Sequence, residues 1–523
     1  MAKLKAVGVK NLRALVDTNL VALKPITLLV GKNSAGKSTF ARIFPLMRQS
    51  NEEKRRAPVL WWGKYVDFGA FNDAVYRNAE NKEISLCFEM AIDKQVDQGI
   101  AFEEYWSDPI NLISPAAVRL EVVLGCSSDG DTYVRRTLVT ACGINCEVHT
   151  TPSHRVTKIT CGSILWEPES DVLAHIAAGE LLPVVKFSRL IKAKDGRTYV
   201  RNIVPLQVLF YEEVRKLFHG NTTHAKLIQI ANQIPFGDAD DVLDEIKNIN
   251  GPSSWKKSIA KLTVDDPQFD ALRRRAFIRI LPDLLRFLNS EIRAFSRGVR
   301  YLEPLRATAQ RYYRTQELAV DEIDSKGGNL AVFILSMERS RRARFNDWLE
   351  AHMGFQVVPV REGGHISLRV KYRNEEGETN LADTGFGMSQ VLPIATQLWS
   401  SLDRRIRSSN ENTTTCFVIE QPELHLHPAF QEQLADLFVA AISNNGMDGG
   451  EPVQIIAETH SSSLINRLGE LVANGTVKRE DVQIVMFDQG SALSPVTIRT
   501  SEFDDDGVLQ NWPFGFFSSG RME

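Results

Sequence analysis

Several features that would place a protein early are missing from these 523 residues. No uninterrupted apolar run approaches the about 18–20 residues that cross a bilayer, so no membrane-spanning helix is expected. The start, Met1-Ala2-Lys3-Leu4-Lys5-Ala6-Val7, lacks the apolar core of a secretory signal. Six cysteines in so long a chain do not make a disulfide scaffold; they read as reduced thiols and point to a cytoplasmic protein. Charge of one sign is not in excess either: 62 Lys and Arg against 65 Asp and Glu leave a formal net charge of −3. That balance gives no global pull toward nucleic acid or an anionic membrane surface. No internal repeat, low-complexity linker or sustained heptad is present, which excludes solenoids and extended coiled coils. What remains is a chain of ordinary globular composition, 43% hydrophobic and 24% charged, long enough for two or three domains.

The most informative stretch follows a short apolar run, Ile26-Thr27-Leu28-Leu29-Val30, which reads as a buried strand. It leads into Gly31-Lys32-Asn33-Ser34-Ala35-Gly36-Lys37-Ser38-Thr39, a complete match to G-x-x-x-x-G-K-[ST]. Glycines let the backbone curl so that successive N–H groups of Gly31 to Thr39, those of Asn33, Ser34, Ala35 and Gly36 included, point inward at phosphate oxygens. The segment from Ser38 to Phe44 has helical character and adds its N-terminal dipole. Lys37 is expected to reach the β- and γ-phosphates, and the Ser38 hydroxyl to ligate Mg²⁺. A bound nucleoside triphosphate, ATP with Mg²⁺, is the expectation.

Along the chain, four segments are expected. Residues 1–95 read as the N-terminal lobe of a nucleotide-binding head, with an edge strand at Leu4–Val9 and a further strand at Ile84–Met90. Residues 96–204 alternate apolar and polar positions, as at Val118–Leu124, and read as a β-rich insertion. Residues 205–355 carry apolar positions at helical spacing, at Val208–Phe218 and Phe277–Leu288, and read as a compact helical insertion. Residues 356–523 return to αβ alternation as a C-terminal lobe. Thr415–Ile419, Val453–Ala457 and Val482–Phe487 are continuous apolar runs of the kind buried on both faces of a parallel sheet. The expected fold is therefore α/β, with one mixed or parallel sheet assembled from both chain ends and the middle inserted.

Two further features invite chemistry. Cys142 and Cys146, with Cys126, Cys161, His149 and His154 nearby, raise a zinc site, but the spacing is not C-x₂-C and ordinary strand cysteines are expected. Basic clusters at Arg273–Arg275 and Arg339–Arg344 read, each alone, as solvated helix faces.

A P-loop does not choose among NTPase classes; the C-terminal third does. Thr415–Ile419 ends in Glu420-Gln421-Pro422-Glu423, where a Walker B carboxylate would hold Mg²⁺. Before it, Leu381-Ala382-Asp383-Thr384-Gly385-Phe386-Gly387-Met388-Ser389-Gln390 is a Gly-punctuated turn opening a helix. After it, Glu458-Thr459-His460-Ser461 sits at the C-terminal end of an apolar strand, where ligands of α/β sheets collect.

Order and spacing resemble the ABC-type ATPases of the SMC, RecF and OLD group, with the signature turn at Thr384–Gln390, Walker B at Glu420, a D-loop at Leu426-His427-Pro428 and a switch histidine at His460. The nearest branch is that of prokaryotic AAA-family ATPases, many of them encoded in anti-phage defence systems. Its hallmarks stand here as Tyr301-Leu302-Glu303-Pro304-Leu305-Arg306-Ala307 with Arg311-Tyr312-Tyr313, as Ile419 to Pro428, as Glu458 to Ser461, and as Asn511 to Phe517.

This resemblance implies an ABC-type ATPase head without a Toprim nuclease, hydrolysing ATP to ADP and phosphate and working as a homodimer or a higher assembly of such dimers. ATP on one subunit's P-loop would be capped by Thr384, Gly385, Gly387 and Ser389 of the other. It also implies a sensing or regulatory role with a separate effector such as a nuclease or toxin. One departure matters: where most such heads carry Asp then Glu, this chain has Glu420 then Gln421. Glutamine orients water but accepts no proton, so either Glu423 or Glu458 substitutes as base, or hydrolysis is slow and ATP mainly holds a state; slow but real turnover is expected, with His460 sensing the γ-phosphate. Rival readings are a DNA-repair-type ATPase that clamps duplex DNA with its arginine clusters, and a nucleotide-held scaffold. Asp504–Asp506 is expected to be a solvated acidic turn.

Overall fold

A computed structural model of the chain describes residues 2–92, 116–192, 197–314, 320, 322–373, 375–402, 414–443, 452–489 and 494–512. The chain forms two compact units, one of residues 1–22, 50–63 and 67–294, the other of residues 23–49, 64–66 and 295–523.

The first unit is built on antiparallel pairing. Its larger sheet runs in the order Ile164–Trp166, Val156–Cys161, Ile144–Thr150, Thr132–Ala141, Ala116–Cys126, Ile84–Ile92, Ala2–Leu12, Leu15–Asp17, with Val21–Ala22 also on Ala2–Leu12. The N-terminal strand is thus interior to this sheet rather than the edge strand expected at Leu4–Val9, because it has partners on both sides. Nor does it join the P-loop strand: residues 2–12 and 84–92 share a sheet with the segment expected to be an insertion. Alternation explains the pairing. In Ala116–Cys126 the first residues are buried and exposed in turn, which suits a sheet with one face packed. A three-stranded sheet, Val172–Ile176, Val185–Lys192 and Thr198–Asn202, follows, and then helices Pro205–Arg215, His224–Ala231, Ala239–Asn248, Ser253–Ile259 and Pro267–Arg297, the last of which ends in the second unit. Phe210, Ile230, Ile246, Trp255 and Phe269 centre the helical core.

The second unit holds a six-stranded sheet in the order Val299–Leu302, Thr415–Glu420, Val453–Glu458, Ile26–Gly31, Val482–Asp488, Thr497–Ser501. The first five strands are parallel and the last is antiparallel. Every residue of Ile26–Gly31 and of Thr415–Glu420 is buried, as continuous apolar runs in a parallel sheet require. This is the α/β sheet drawn from both chain ends that the apolar runs predict. Val299–Leu302 was not foreseen: it pairs with Thr415–Glu420 from within the segment expected to be a helical insertion. The strand is four residues long, too short for a pattern to announce it. Helices Leu330–Ser336, Arg339–Met353, Phe386–Leu402, Pro428–Ile442 and Ser462–Ala473 pack their apolar faces into one core with Ile26, Leu28, Val30, Phe417, Ile419 and Ile455. A small sheet, Tyr313–Arg314, His365–Tyr372 and Phe355–Glu362 with Thr379–Asn380, completes the unit.

Candidate functional site

The C-terminal ends of three neighbouring parallel strands place the polar residues together, and all lie in the second unit. Ile26–Gly31 runs into the loop Lys32–Gly36, which turns into the helix Lys37–Ala41. Three left-handed or otherwise positive φ values make that turn, at Gly31 (151°), Ser34 (67°) and Gly36 (91°). A Cβ on Gly31 would collide with the Phe487 carbonyl of the adjacent strand, so this position needs glycine for space as well as for conformation. Lys37 is only 3% exposed, and its Nζ donates to the carbonyls of Gly31 (2.9 Å) and Lys32 (2.8 Å). Burial lowers its pKa, opposed by the carboxylates of Glu458 and Glu423. The backbone of Lys32 also accepts from the Ala35 N–H, closing the loop. Asn33, Ser34 and Lys32 are exposed at its tip, and Thr39 is half-buried on the following helix.

Glu420 and Glu458 face each other across the register of their strands. Their surroundings differ. Glu420 is 2% exposed and its carboxylate is bound on both oxygens by Arg42, Nε to Oε1 at 2.7 Å and Nη2 to Oε2 at 2.8 Å. The Tyr301 hydroxyl donates to the same Oε1 at 2.8 Å. Glu458 lies 3.9 Å from the Lys37 ammonium, and its Oε2 is buried with no partner among the described residues. Burial raises the Glu458 pKa. Glu420, expected to join Ser38 as a metal ligand, is held by Arg42 and Tyr301, and the acidic strand end beside the P-loop strand is Glu458. The reason is register, which sets Glu458 on the strand next to the P-loop strand and Glu420 one strand further away. Oxygen donors of this kind, a hydroxyl and an orphaned carboxylate oxygen beside a phosphate-binding loop, fit Mg²⁺, which keeps most of its ligands as water and phosphate.

Beyond Glu420 the chain turns sharply. Gln421 sits in the left-handed region at φ 44°, with its N–H donating to the Glu458 carbonyl (2.8 Å). Glu423 accepts the His460 backbone N–H on Oε1 at 2.6 Å, and its Oε2 is buried without a partner among the described residues. Burial raises its carboxyl above the ordinary range. His460 itself is exposed, and burial of its ring edge and the nearby Lys37 charge lower its pKa. His427 caps the helix Pro428–Ile442, its Nδ1 accepting from the Ala429 N–H at 3.3 Å. His425 is exposed and packs edge-on against Phe386, with ring centres 4.8 Å apart.

The turn before the helix Phe386–Leu402 presents Gly385 and Phe386 to solvent, with Thr384 and Gly387 half-buried. Gly385 has φ 90°. Ser389 departs from expectation: it is 3% exposed, and its hydroxyl donates to the Phe386 carbonyl at 2.6 Å inside the first helical turn. The exposed part of the turn is Thr384–Gly387, and Ser389 supports it from within.

The other sequence candidates fall away from this centre. Cys146 and Cys161 are buried cross-strand neighbours in the antiparallel sheet, and no group of three possible metal ligands meets among the described residues. Arg273 donates to the carbonyls of Cys142 and Gly237, Arg274 pairs with Asp270 at 2.6 Å, and Arg275 pairs with Glu213. Arg341 lies over the rings of Phe333 and Trp399. Asp504 accepts the N–H groups of Asp506 and Val508, as an acidic turn does. Of the terminal stretch Asn511–Phe517, only Asn511 and Trp512 lie within the described residues. Sequence reasoning missed Arg42 altogether and quoted Tyr301 and Arg306 without a role.

The family model described as AAA ATPase domain (AAA_15) matches residues 2–180 and 314–465, more than half of the chain. The protein belongs to this AAA ATPase family. Nucleotide binding and ATP hydrolysis are the activities this membership supports, and the P-loop lies in the first matched part and Glu420 in the second. Among solved structures, this AAA ATPase is similar to the Smc head domain of Pyrococcus furiosus crystallised with the C-terminal domain of ScpA (9% identity over 96% of each chain, TM-score 0.34). It is also similar to the Smc head with coiled coil and joint of Pyrococcus yayanosii (10% identity, 97% and 98% of the two chains, TM-score 0.35) and to the SMC head domain of Thermotoga maritima (10%, 95% and 98%, 0.33). No curated protein matches the sequence. Among the described residues, no helix is long and apolar enough to cross a membrane.

Proposed function

We propose that this AAA ATPase is a slow, ATP-held latch: it binds ATP with Mg²⁺, pairs two copies across the nucleotide, and acts as sensor or regulator of a separate effector in an anti-phage defence system. The observation that carries the slow-turnover part is Gln421, held at φ 44° where a proton acceptor would ordinarily stand. Glutamine orients a water without taking its proton.

Within this reading each residue has a task. The loop N–H groups and the buried Lys37 ammonium bind the phosphates. Mg²⁺ would be held by Ser38 and by one acidic strand end, Glu420 or Glu458, and when bound it neutralises phosphate charge. Gln421 orients the attacking water. Glu423 accepts its proton, because its raised pKa makes the carboxylate a stronger base than an ordinary one and its free Oε2 is available. Exposed His460, two residues past Glu458, senses the γ-phosphate. Thr384–Gly387 of a second copy would cap the nucleotide, so loss of the γ-phosphate would loosen the pair. The effector and the defence setting rest on the motif resemblance; the DNA-clamping alternative rests on the clusters Arg273–Arg275 and Arg339–Arg344, of which the first is engaged within its own unit.

Single-turnover hydrolysis by Gln421→Glu tests the latch. A new base at this position should raise the rate by about tenfold or more, and an unchanged rate would sink the reading. Light scattering with ATP and Mg²⁺ should report a dimer that ADP does not sustain.

A further inference from the structure

Arg306 lies in none of the nucleotide-binding motifs, yet it joins two of them within one subunit. It is 4% exposed. Its backbone is gripped at both polar groups by one side chain: the Arg306 N–H donates to Gln390 Oε1 at 3.3 Å, and Gln390 Nε2 donates to the Arg306 carbonyl at 3.3 Å. Gln390 is fully buried in the first turns of the helix Phe386–Leu402, directly behind the exposed turn Thr384–Gly387. On its other side, Arg306 Nη2 donates to the Glu420 carbonyl at 3.0 Å.

That carbonyl belongs to the peptide between Glu420 and Gln421. The N–H of the same peptide donates to the Glu458 carbonyl at 2.8 Å. One peptide plane is thus held from both ends, by Arg306 and by the neighbouring strand, and its orientation fixes the left-handed backbone of Gln421. A glutamine adopts that region when its neighbours impose it. The guanidinium does more than one hydrogen bond requires. Its Nε and Nη1 are buried and have no partner among the described residues, as is also true of Glu423 Oε2. Burial lowers the Arg306 pKa to about 10, against the pull of Glu423 and Glu420, so it is charged at neutral pH. A second contact runs in parallel: the His425 ring packs on Phe386, and a Cβ on Gly387 would stand 3.1 Å from the His425 carbonyl.

We propose that Arg306 is a positioning residue for ATP hydrolysis, carrying the placement of the helix start at Phe386–Gln390 to the Glu420–Gln421 peptide and so setting where Gln421 holds its water. Any shift of the turn Thr384–Gly387 moves Gln390, Gln390 carries the Arg306 backbone with it, and the guanidinium passes that movement to the peptide. The inference rests on the reading of Gln421 as the water-orienting residue.

The test uses the full chain with Arg306→Lys, Gln390→Glu and the double variant. Lysine keeps the charge but lacks the planar fork; glutamate keeps the arm that accepts from the Arg306 N–H but loses the one that donates. Binding of a fluorescent ATP analogue and the single-turnover rate are read together, with circular dichroism as a check on folding. Each single variant should lower the rate about tenfold while affinity stays within about threefold. The double variant should be no slower than the slower single variant, since both break one connection. Rates that multiply would separate the two residues and overturn the proposal, as would an unchanged rate in Gln390→Glu, which decides the matter alone if Arg306→Lys does not fold. Affinity falling in step with rate would make Arg306 a support of the nucleotide pocket and equally overturn it. A wild-type chain that stays monomeric with ATP would remove the ATP-bridged dimer and leave these rate comparisons intact.

Discussion

In the antiparallel unit, the strand Ala116–Cys126 begins with buried and exposed residues in turn, and Arg119 and Glu121 sit among its outward positions. In the parallel sheet of the other unit, Ile26–Gly31 and Thr415–Glu420 are buried at every position. Charge follows the same division. Among the described residues, buried charge in the first unit is confined to Glu213 and Arg279, and Glu213 has two cationic partners, Lys216 and Arg275. The second unit buries Lys37, Arg48, Arg306, Glu420 and Glu458, four of them around the strand ends of one sheet. Buried charge is expensive unless compensated, and an antiparallel sheet with a wet face can avoid it. In a parallel sheet covered on both faces, charged groups along the strands would be buried, so they gather at the C-terminal ends, where the chain leaves the core. The chemistry of this protein sits where the packing leaves room for it.

Three experiments bear on that contrast. The largest effect is expected from Phe417→Ala, in a strand with no exposed position, which should cost about 3–5 kcal/mol in urea unfolding. Arg119→Ala, at an outward position of the antiparallel sheet, should stay within about 0.5 kcal/mol. Equal losses would erase the distinction between the two sheets. Next comes Lys37→Ala, which removes the buried ammonium from the P-loop and should weaken ATP hydrolysis by about a hundredfold or more. Retained turnover would mean the strand-end charges of the second unit serve stability alone. The smallest effect concerns Glu423. Burial holds its carboxyl above the ordinary carboxylate range, so the base form accumulates only as pH rises through that higher value. Turnover should therefore climb with pH across it. Glu423→Gln should flatten the profile and slow hydrolysis about tenfold, below the usual span for a general base because the wild type is already slow. A profile that keeps its shape in Glu423→Gln would pass the proton to another group, with Glu458 next in line.

Much of the second unit was legible before any coordinate. Gly31–Thr39 is a local motif whose loop is determined by glycine positions and by the lysine that follows them. The apolar runs at 415–419, 453–457 and 482–487 announce a doubly covered sheet because burial on both faces removes alternation. The first unit was legible only as strands: alternation tells which residues face inward but not which strand lies beside which, and so Leu4–Val9 looked like an edge and proved interior. Ser389 shows the same limit on a smaller scale. Its place in a glycine-bearing turn made it a candidate to meet the nucleotide, and only the helix phase shows its hydroxyl turned inward.

The P-loop, the acidic strand end and the histidine after the next strand were thus determined by the sequence itself, since each is a short pattern whose chemistry depends on residues a few positions apart. Tertiary structure alone decided how they combine. Tyr301 reaches Glu420 across 119 positions of sequence, and Arg306 reaches the same residue's carbonyl across 114. It also set Glu458 rather than Glu420 beside the P-loop strand, because the order of strands in the sheet, and no spacing along the chain, determines which strand end stands next to the P-loop.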